Sequence, residues 1–168
     1  MSAIVQGKRR LVSAGVVAWR ERGGALEVCI VHPGGPFFAK KDEGAWSIPK
    51  GGVDHDVIND QTLLETALRE LEEETGLMPE ADLIPLGAIK QKGGKTVHAF
   101  AIHCDDEVPK DHRPPQVRIE YPPGSMRELA FPEVDQVAFV SIAVARIKLN
   151  PAQVELLDRL ESLVRSRD

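Results

Sequence analysis

An α/β fold, a mixed β-sheet covered by helices, is predicted by three features of this 168-residue sequence. Valine-rich apolar runs recur along the chain, two segments carry apolar residues at helical spacing, and the two kinds of element mix irregularly. The length fits one domain, residues 1–168, which can bury a core without disulfide or structural-metal support.

The elements follow in order. Leu11 to Trp19 is apolar and valine-rich, Gly23-Gly24 turns the chain, and Leu26 to Val31 returns as the second strand of a hairpin. The breakers of His32-Pro33-Gly34-Gly35-Pro36 mark a loop, and the short apolar piece Ala45 to Ile48 ends at Pro49. Thr62-Leu63-Leu64-Glu65 has the form of a capping box, and Leu64, Ala67, Leu68 and Leu71 recur at helical spacing. With Gly76 as a left-handed cap, this predicts a helix from about Leu63 to Thr75. Leu83 to Ile89 and Thr96 to His103 read as strands joined around Gly93-Gly94. Asp105 to Gly124 is polar and proline-bearing, a long loop with an extended piece at Val117 to Tyr121. Gln136 to Ile142 is the last strand. Asn150-Pro151 starts a closing helix whose stripe is Leu156, Leu157, Leu160, Leu163 and Val164.

Composition removes several classes of function. A hydrophobic fraction of 42% and a charged fraction of 28% are those of a soluble globular protein. A net charge of −5 argues against a nucleic-acid surface, which needs a basic stripe, but leaves room for a small anionic substrate held by a local cation. Cys29 and Cys104 stand in unrelated contexts, which favours buried, reduced thiols over zinc or redox chemistry. Met1 to Arg10 is basic with no apolar run of leader length after it, and nothing approaches a membrane span; a cytoplasmic location is expected.

The helix carries the chemistry. At about 100° per residue, Leu64, Ala67, Leu68 and Leu71 make the buried face, Glu65, Arg69 and Glu72 a second, and Glu70, Glu73 and Glu74 a third. Glu65 and Arg69 are spaced as an i,i+4 pair. Three carboxylates that close repel one another, and a hard divalent cation would relieve the repulsion; an oxygen-only set suits magnesium or manganese. Charge alone makes Glu72-Glu73-Glu74 a solvated helix face, so the decision rests on context.

That context is a Pro-Lys-Gly-Gly turn upstream and the string Arg69-Glu70-Leu71-Glu72-Glu73-Glu74-Thr75-Gly76-Leu77. The string resembles the end of the Nudix box, G-x5-E-x7-R-E-U-x-E-E-x-G-U with U aliphatic: Arg69, Glu70, Leu71, Glu73, Glu74, Gly76 and Leu77 match in place. The resemblance extends to Ser13-Ala14-Gly15, His32-Pro33-Gly34-Gly35-Pro36, Trp46 to Gly51 and Phe131-Pro132-Glu133-Val134-Asp135. These look like a bacterial branch of Nudix proteins described as predicted nucleotide pyrophosphohydrolases. Two positions depart. The first box glutamate falls on Gln61. The box glycine would fall on His55, whereas Gly51 and Gly52 come earlier, so Val53 to Asp60 carries an insertion.

The resemblance implies a Nudix-type α/β/α sandwich and metal-dependent hydrolysis of a phosphoanhydride bond in a nucleoside diphosphate-linked substrate, with dinucleoside polyphosphates and nucleoside triphosphates foremost. It implies that Glu70, Glu73 and Glu74 hold Mg2+ or Mn2+ with a backbone carbonyl near Lys50-Gly51, and that Arg69 orients the carboxylates. Lys50 then either contacts phosphate or is a solvated loop lysine. Glu120 is the candidate extra acid, as base or ligand, against an ordinary loop glutamate; Tyr121 either stacks on a base or packs against Pro122-Pro123. Lys90, Lys92 and Lys95 read as an exposed hairpin tip, and the histidines show no ligand spacing. Gln61 favours a competing reading, a non-catalytic Nudix-fold module that binds a nucleotide metabolite; the intact Arg69-Glu70 and Glu73-Glu74 oppose it. The expected partner is a small nucleotide, with no nucleic acid or membrane, and the protein a monomer or homodimer.

Overall fold

A computed structural model describes residues 11–167; Met1 to Arg10, whose basic character was read above, lie outside them. The strands are β1 (Val12–Arg22), β2 (Ala25–Pro33), β3 (Lys50–Gly52), β4 (Ile84–Gln91), β5 (Lys95–His103), β6 (Gln116–Glu120), β7 (Glu128–Pro132) and β8 (Val134–Ser141). The helices are α1 (Asp60–Thr75), α2 (Ile142–Lys148) and α3 (Val154–Ser166), the last preceded by a 3₁₀ turn, Pro151–Gln153. The main sheet runs β4-β5-β1-β2-β8, with β3 paired to β1. The β1–β5 pair is parallel and the other pairs in this sheet are antiparallel, so the sheet is mixed as expected.

Why β1 reads as an unbroken apolar run is now clear: the sheet is covered on both faces, so both sets of alternating side chains are buried. Ala14, Val16 and Ala18 join Leu63, Ala67, Leu71 and Phe100 on the α1 side. Val17 and Trp19 join Val28, Ile30, Leu156, Leu157 and Leu160 on the α3 side. Each fully buried leucine of that stripe contributes about 1.5–3 kcal/mol. Cys29 and Cys104 are free and buried in the α1-side core; burial pushes the Cys29 thiol up to about 12.

Several sequence expectations are corrected. Helix α1 starts earlier than Leu63: Asn59 is the cap, its side chain accepting from Thr62 N while Thr62 Oγ1 accepts from Asn59 N. Thr62 is therefore the third residue of the box and not its first, and Glu65 plays no part in it. The helix is also rotated from the expected face. Leu63, Thr66, Ala67, Glu70, Leu71 and Glu74 are buried, Leu64 is half-buried and Leu68 is 43% exposed. Burying Glu70 and Glu74 turns Leu68 outward, a cost accepted only where carboxylates are wanted inside. Glu65 does not pair with Arg69; it accepts from Gln61 Nε2 at 2.9 Å.

Elsewhere the extended piece expected at Val117 to Tyr121 is β6, which pairs with β7, a strand not expected, in a two-stranded ladder off the main sheet. Helix α2, capped by Ser141 on Val144 N, was missed where β8 ends. The short apolar piece Ala45 to Ile48 makes single bridges, Val31 to Ser47 and Trp46 to Leu149.

Candidate active site

The site is built where β3 meets α1. Pro49 ends the preceding loop, and Val16 N donates to Pro49 O, which turns Lys50 to Gly52 into register along Gly15 to Ser13. The buried Gln153 fixes the loop from behind. Its Oε1 accepts from Ile48 N at 2.9 Å, and its Nε2 donates to Ser47 Oγ and Gln91 Oε1. Gly51 then lies directly against the Glu70 carboxylate: a methyl group there would stand 2.2 Å from Glu70 Cδ. A side chain there would push the Glu70 carboxylate from its place, which gives the Pro-Lys-Gly-Gly turn a physical reason.

Glu70, Glu74 and Glu133 bring one carboxylate oxygen each to within 4.8 Å of one another. Glu70 and Glu74 are 5% and 4% exposed. Burial raises the Glu74 carboxyl well above the ordinary range, and the negative charges of Glu133 and Glu70, with a hydrogen bond to Glu70, raise it further. Glu133 is raised by burial, then by Glu70 and Glu73. Burial holds the Lys50 ammonium below the ordinary lysine range, Glu74 pulls it back up, and Lys95 pushes it down. Two buried like charges cannot both remain ionised without a cation. Arg69 reaches Glu70 at 3.4 Å, but its buried Nε makes no hydrogen bond and stands 4.0 Å from Glu73 Oε1. An all-oxygen donor set, with a buried carboxylate seated on a bare glycine backbone, fits a hard divalent cation.

Of the residues singled out from the sequence, Arg69, Glu70, Glu73, Glu74, Lys50 and Gly51 come together here. Glu73 sits at the border, its side chain 26% exposed. Glu120 does not join the group; at the end of β6 its Oε1 accepts from Gly124 N at 2.6 Å. Tyr121 packs edge-on against Phe37, with ring centroids 5.6 Å apart, and both rings stay exposed. Gln61 is exposed and tied to Glu65, away from the buried carboxylates. Glu133 is the residue the sequence reading passed over. It lay inside the quoted string Phe131 to Asp135, and its only local signal was an acid following a proline at the junction of two strands. Its backbone is held on both sides: Glu133 N donates to Pro115 O and Glu133 O accepts from Gly34 N. The neighbouring Asp135 pairs with the buried His32 at 2.7 Å.

Fold and site together define a phosphoanhydride-cleaving class built on a carboxylate-bearing helix. The profile of the NUDIX domain matches residues 9–160. The chain therefore belongs to the NUDIX family and is a Nudix-type pyrophosphohydrolase, a hydrolase acting on acid anhydrides. Among curated proteins no match is found. Among solved structures it is similar to an Ap4A hydrolase of C. elegans in a binary complex, at 18% identity and TM-score 0.62, over 92% of this chain and 98% of that one. It is similar also to the NUDIX domain of Shewanella oneidensis NrtR complexed with ADP ribose, at 16% identity and TM-score 0.61, over 94% and 90%. A mutT/nudix family protein from Listeria innocua gives 16% identity and TM-score 0.57, over 93% and 94%. At such identities these likenesses concern the fold.

Proposed function

We propose that this protein hydrolyses a phosphoanhydride bond in a nucleoside diphosphate-linked compound, a dinucleoside polyphosphate or a nucleoside triphosphate, with Mg2+ or Mn2+ as cofactor. The observation that carries the reading is the meeting of Glu70, Glu74 and Glu133 within 4.8 Å, with Glu70 seated directly on Gly51. Glu70 and Glu74 would hold the cation, with Glu73 and a carbonyl near Lys50-Gly51 completing the set. Bound there, a divalent cation polarises phosphoryl oxygens and makes water a stronger acid.

The chain's own groups do the rest. Lys50, half-buried beside the carboxylates, supplies a positive charge for the phosphate chain. Arg69 helps to orient the Glu70 carboxylate through one guanidinium nitrogen, Nη2, at 3.4 Å from Glu70 Oε1. Glu133, raised by its surroundings and anchored by both backbone groups, takes the proton of the attacking water at its carboxylate; Glu120, bound to Gly124 N, is released from that role. The exposed Phe37–Tyr121 corner offers aromatic surface to a nucleobase. The likeness to an Ap4A hydrolase supports a dinucleoside polyphosphate as the first compound to try.

The test is a magnesium-supplemented panel of dinucleoside polyphosphates, nucleoside triphosphates, ADP-ribose and diphosphoinositols, with products resolved by chromatography. Turnover is expected with a compound that carries a base. Tight binding without turnover of any of them would instead establish the nucleotide-binding module that Gln61 first suggested. The position of Gln61 outside the carboxylate group argues for turnover, because no cluster oxygen is lost with that substitution.

A further inference from the structure

Helix α1 ends under electrostatic load. Glu70, Glu72, Glu73 and Glu74 crowd its last turns, the last turn has no basic residue of its own, and the negative end of the helix dipole points the same way. Its final carbonyls need partners from elsewhere. Gly76 N takes Glu72 O, and Thr75 Oγ1 takes Leu71 O. The Glu73 carbonyl receives a donor from a distant part of the chain: His112 Nε2, at 2.8 Å. A carbonyl only accepts, so Nε2 carries the proton. The His112 ring lies so close over Gly76, which has a φ of +80°, that a methyl group at Gly76 would stand 2.9 Å from its Cγ.

Three residues further on, Pro115 O accepts from Glu133 N at 2.8 Å, and the β6–β7 ladder begins with Gln116 opposite Pro132. The stretch His112-Arg113-Pro114-Pro115 thus links the two parts of the carboxylate group. One end grips the helix that carries Glu70 and Glu74; the other grips the backbone of Glu133. Two prolines in succession make that link short and stiff.

We propose that His112 is a positioning residue that sets the spacing between Glu133 and the α1 carboxylates, and through it the fit for a small hard cation. The proposal rests on the carboxylate group being a cation site, as argued above. Cation size enters because Mg2+ demands short, near-octahedral oxygen geometry and Mn2+ is likewise smaller than Ca2+, which accepts longer and looser sets. A brace that fixes the spacing therefore matters more to manganese than to calcium.

The experiment measures manganese and calcium dissociation constants by calorimetry, on the full chain, for the wild type, His112→Phe and His112→Gln. Phenylalanine keeps the ring over Gly76 without a donor; glutamine restores an amide N–H at similar reach. Manganese binding to His112→Phe is expected to weaken about tenfold, the usual effect of a lost outer hydrogen bond at a metal site. Calcium should change less than manganese, and His112→Gln should return towards the wild type. Three results would overturn the proposal: unchanged manganese affinity in His112→Phe, equal weakening of both cations, or a glutamine variant as weak as the phenylalanine one. If His112→Phe does not fold, His112→Asn, whose shorter amide falls short of the Glu73 carbonyl, takes its place with the same criteria. A wild type that binds no manganese overturns the cation site itself and the brace with it. A wild type that binds it while His112→Phe binds equally well overturns the brace alone.

Discussion

At the scale of single residues, the site turns on which glutamates are inside. Glu74 is buried against Glu70 and Glu133, whereas Glu72, two positions earlier on the same helix, is exposed. Glu74→Gln and Glu72→Gln make the same charge change, and glutamine is a good helix former, so both should fold. Turnover should collapse in Glu74→Gln and persist in Glu72→Gln; equal losses in a steady-state assay would mean that general charge is what matters. Glu133→Gln should lower turnover by roughly 10²–10⁴, the worth of a general base, and should flatten the acid limb of the pH–rate profile. Sequence made Glu70 and Glu74 legible because they sit at fixed spacing on one helix. It could not reveal Glu133, which reaches them only through the pairing of β8 with β2 and the loops that hold its backbone. Glu120 was chosen in its place by proximity in the chain to the long loop, and nothing local tells one loop acid from another.

Among elements, α1 is where local rules and tertiary demands part. Of the expected face, Ala67 and Leu71 are buried, but the helix is turned so that Leu63, Glu70 and Glu74 are buried with them and Leu68 faces out. A hydrophobic pattern assumes that acids face water, so it rotates any helix that exists to carry acids inward. Its C-terminal end was more legible: Gly76 is the left-handed cap expected, with its N–H on Glu72 O. The start was misplaced because Asn59 and Thr62 satisfy each other at the same spacing as the Thr62–Glu65 pair read from sequence. Asn59→Ala should therefore cost about 1 kcal/mol of stability, read as a lower urea midpoint. Glu65→Gln should cost far less; a larger loss for Glu65→Gln would return the cap to Thr62.

For the whole molecule, the buried acids couple stability to pH and to cations. Glu74 and Glu133 have carboxyls raised above the ordinary 4.5 in the folded state. A raised acid binds its proton more tightly when folded, so its contribution is fully present below that ordinary value and is lost as pH rises through the raised one. The metal-free protein should thus lose stability as pH rises from the ordinary carboxyl value of 4.5 through the raised ones. Manganese at ~100 times its dissociation constant should add about 2.7 kcal/mol, with a larger shift at higher pH, where no proton must be displaced. Calorimetric scans at matched ionic strength would show both effects. A manganese shift that is absent, or that shrinks as pH rises, would contradict the arrangement of acids described here. The broad architecture was readable because a sheet covered on both faces leaves long valine runs. β6 was readable as an extended piece, but its partner β7 and α2 were not, since half-exposed short elements leave little pattern to read.

The topology also sets a timetable. Helix α1 and the β1–β2 hairpin join residues close in the chain, whereas Val12 must find Thr96 and His32 must find Gln136 before Glu133 has a place to stand. Long-range pairings close late, because the entropy of the intervening chain is spent before any contact repays it. The expectation is that the carboxylate group is completed after the rate-limiting step of folding, so that a ligand of that group acts on only one side of the barrier. Manganese should slow unfolding in proportion to the stability it confers and leave the refolding rate unchanged. Stopped-flow tryptophan fluorescence, reporting on the buried Trp19 and Trp46, can follow both rates; faster refolding in manganese would place the site in the folding nucleus.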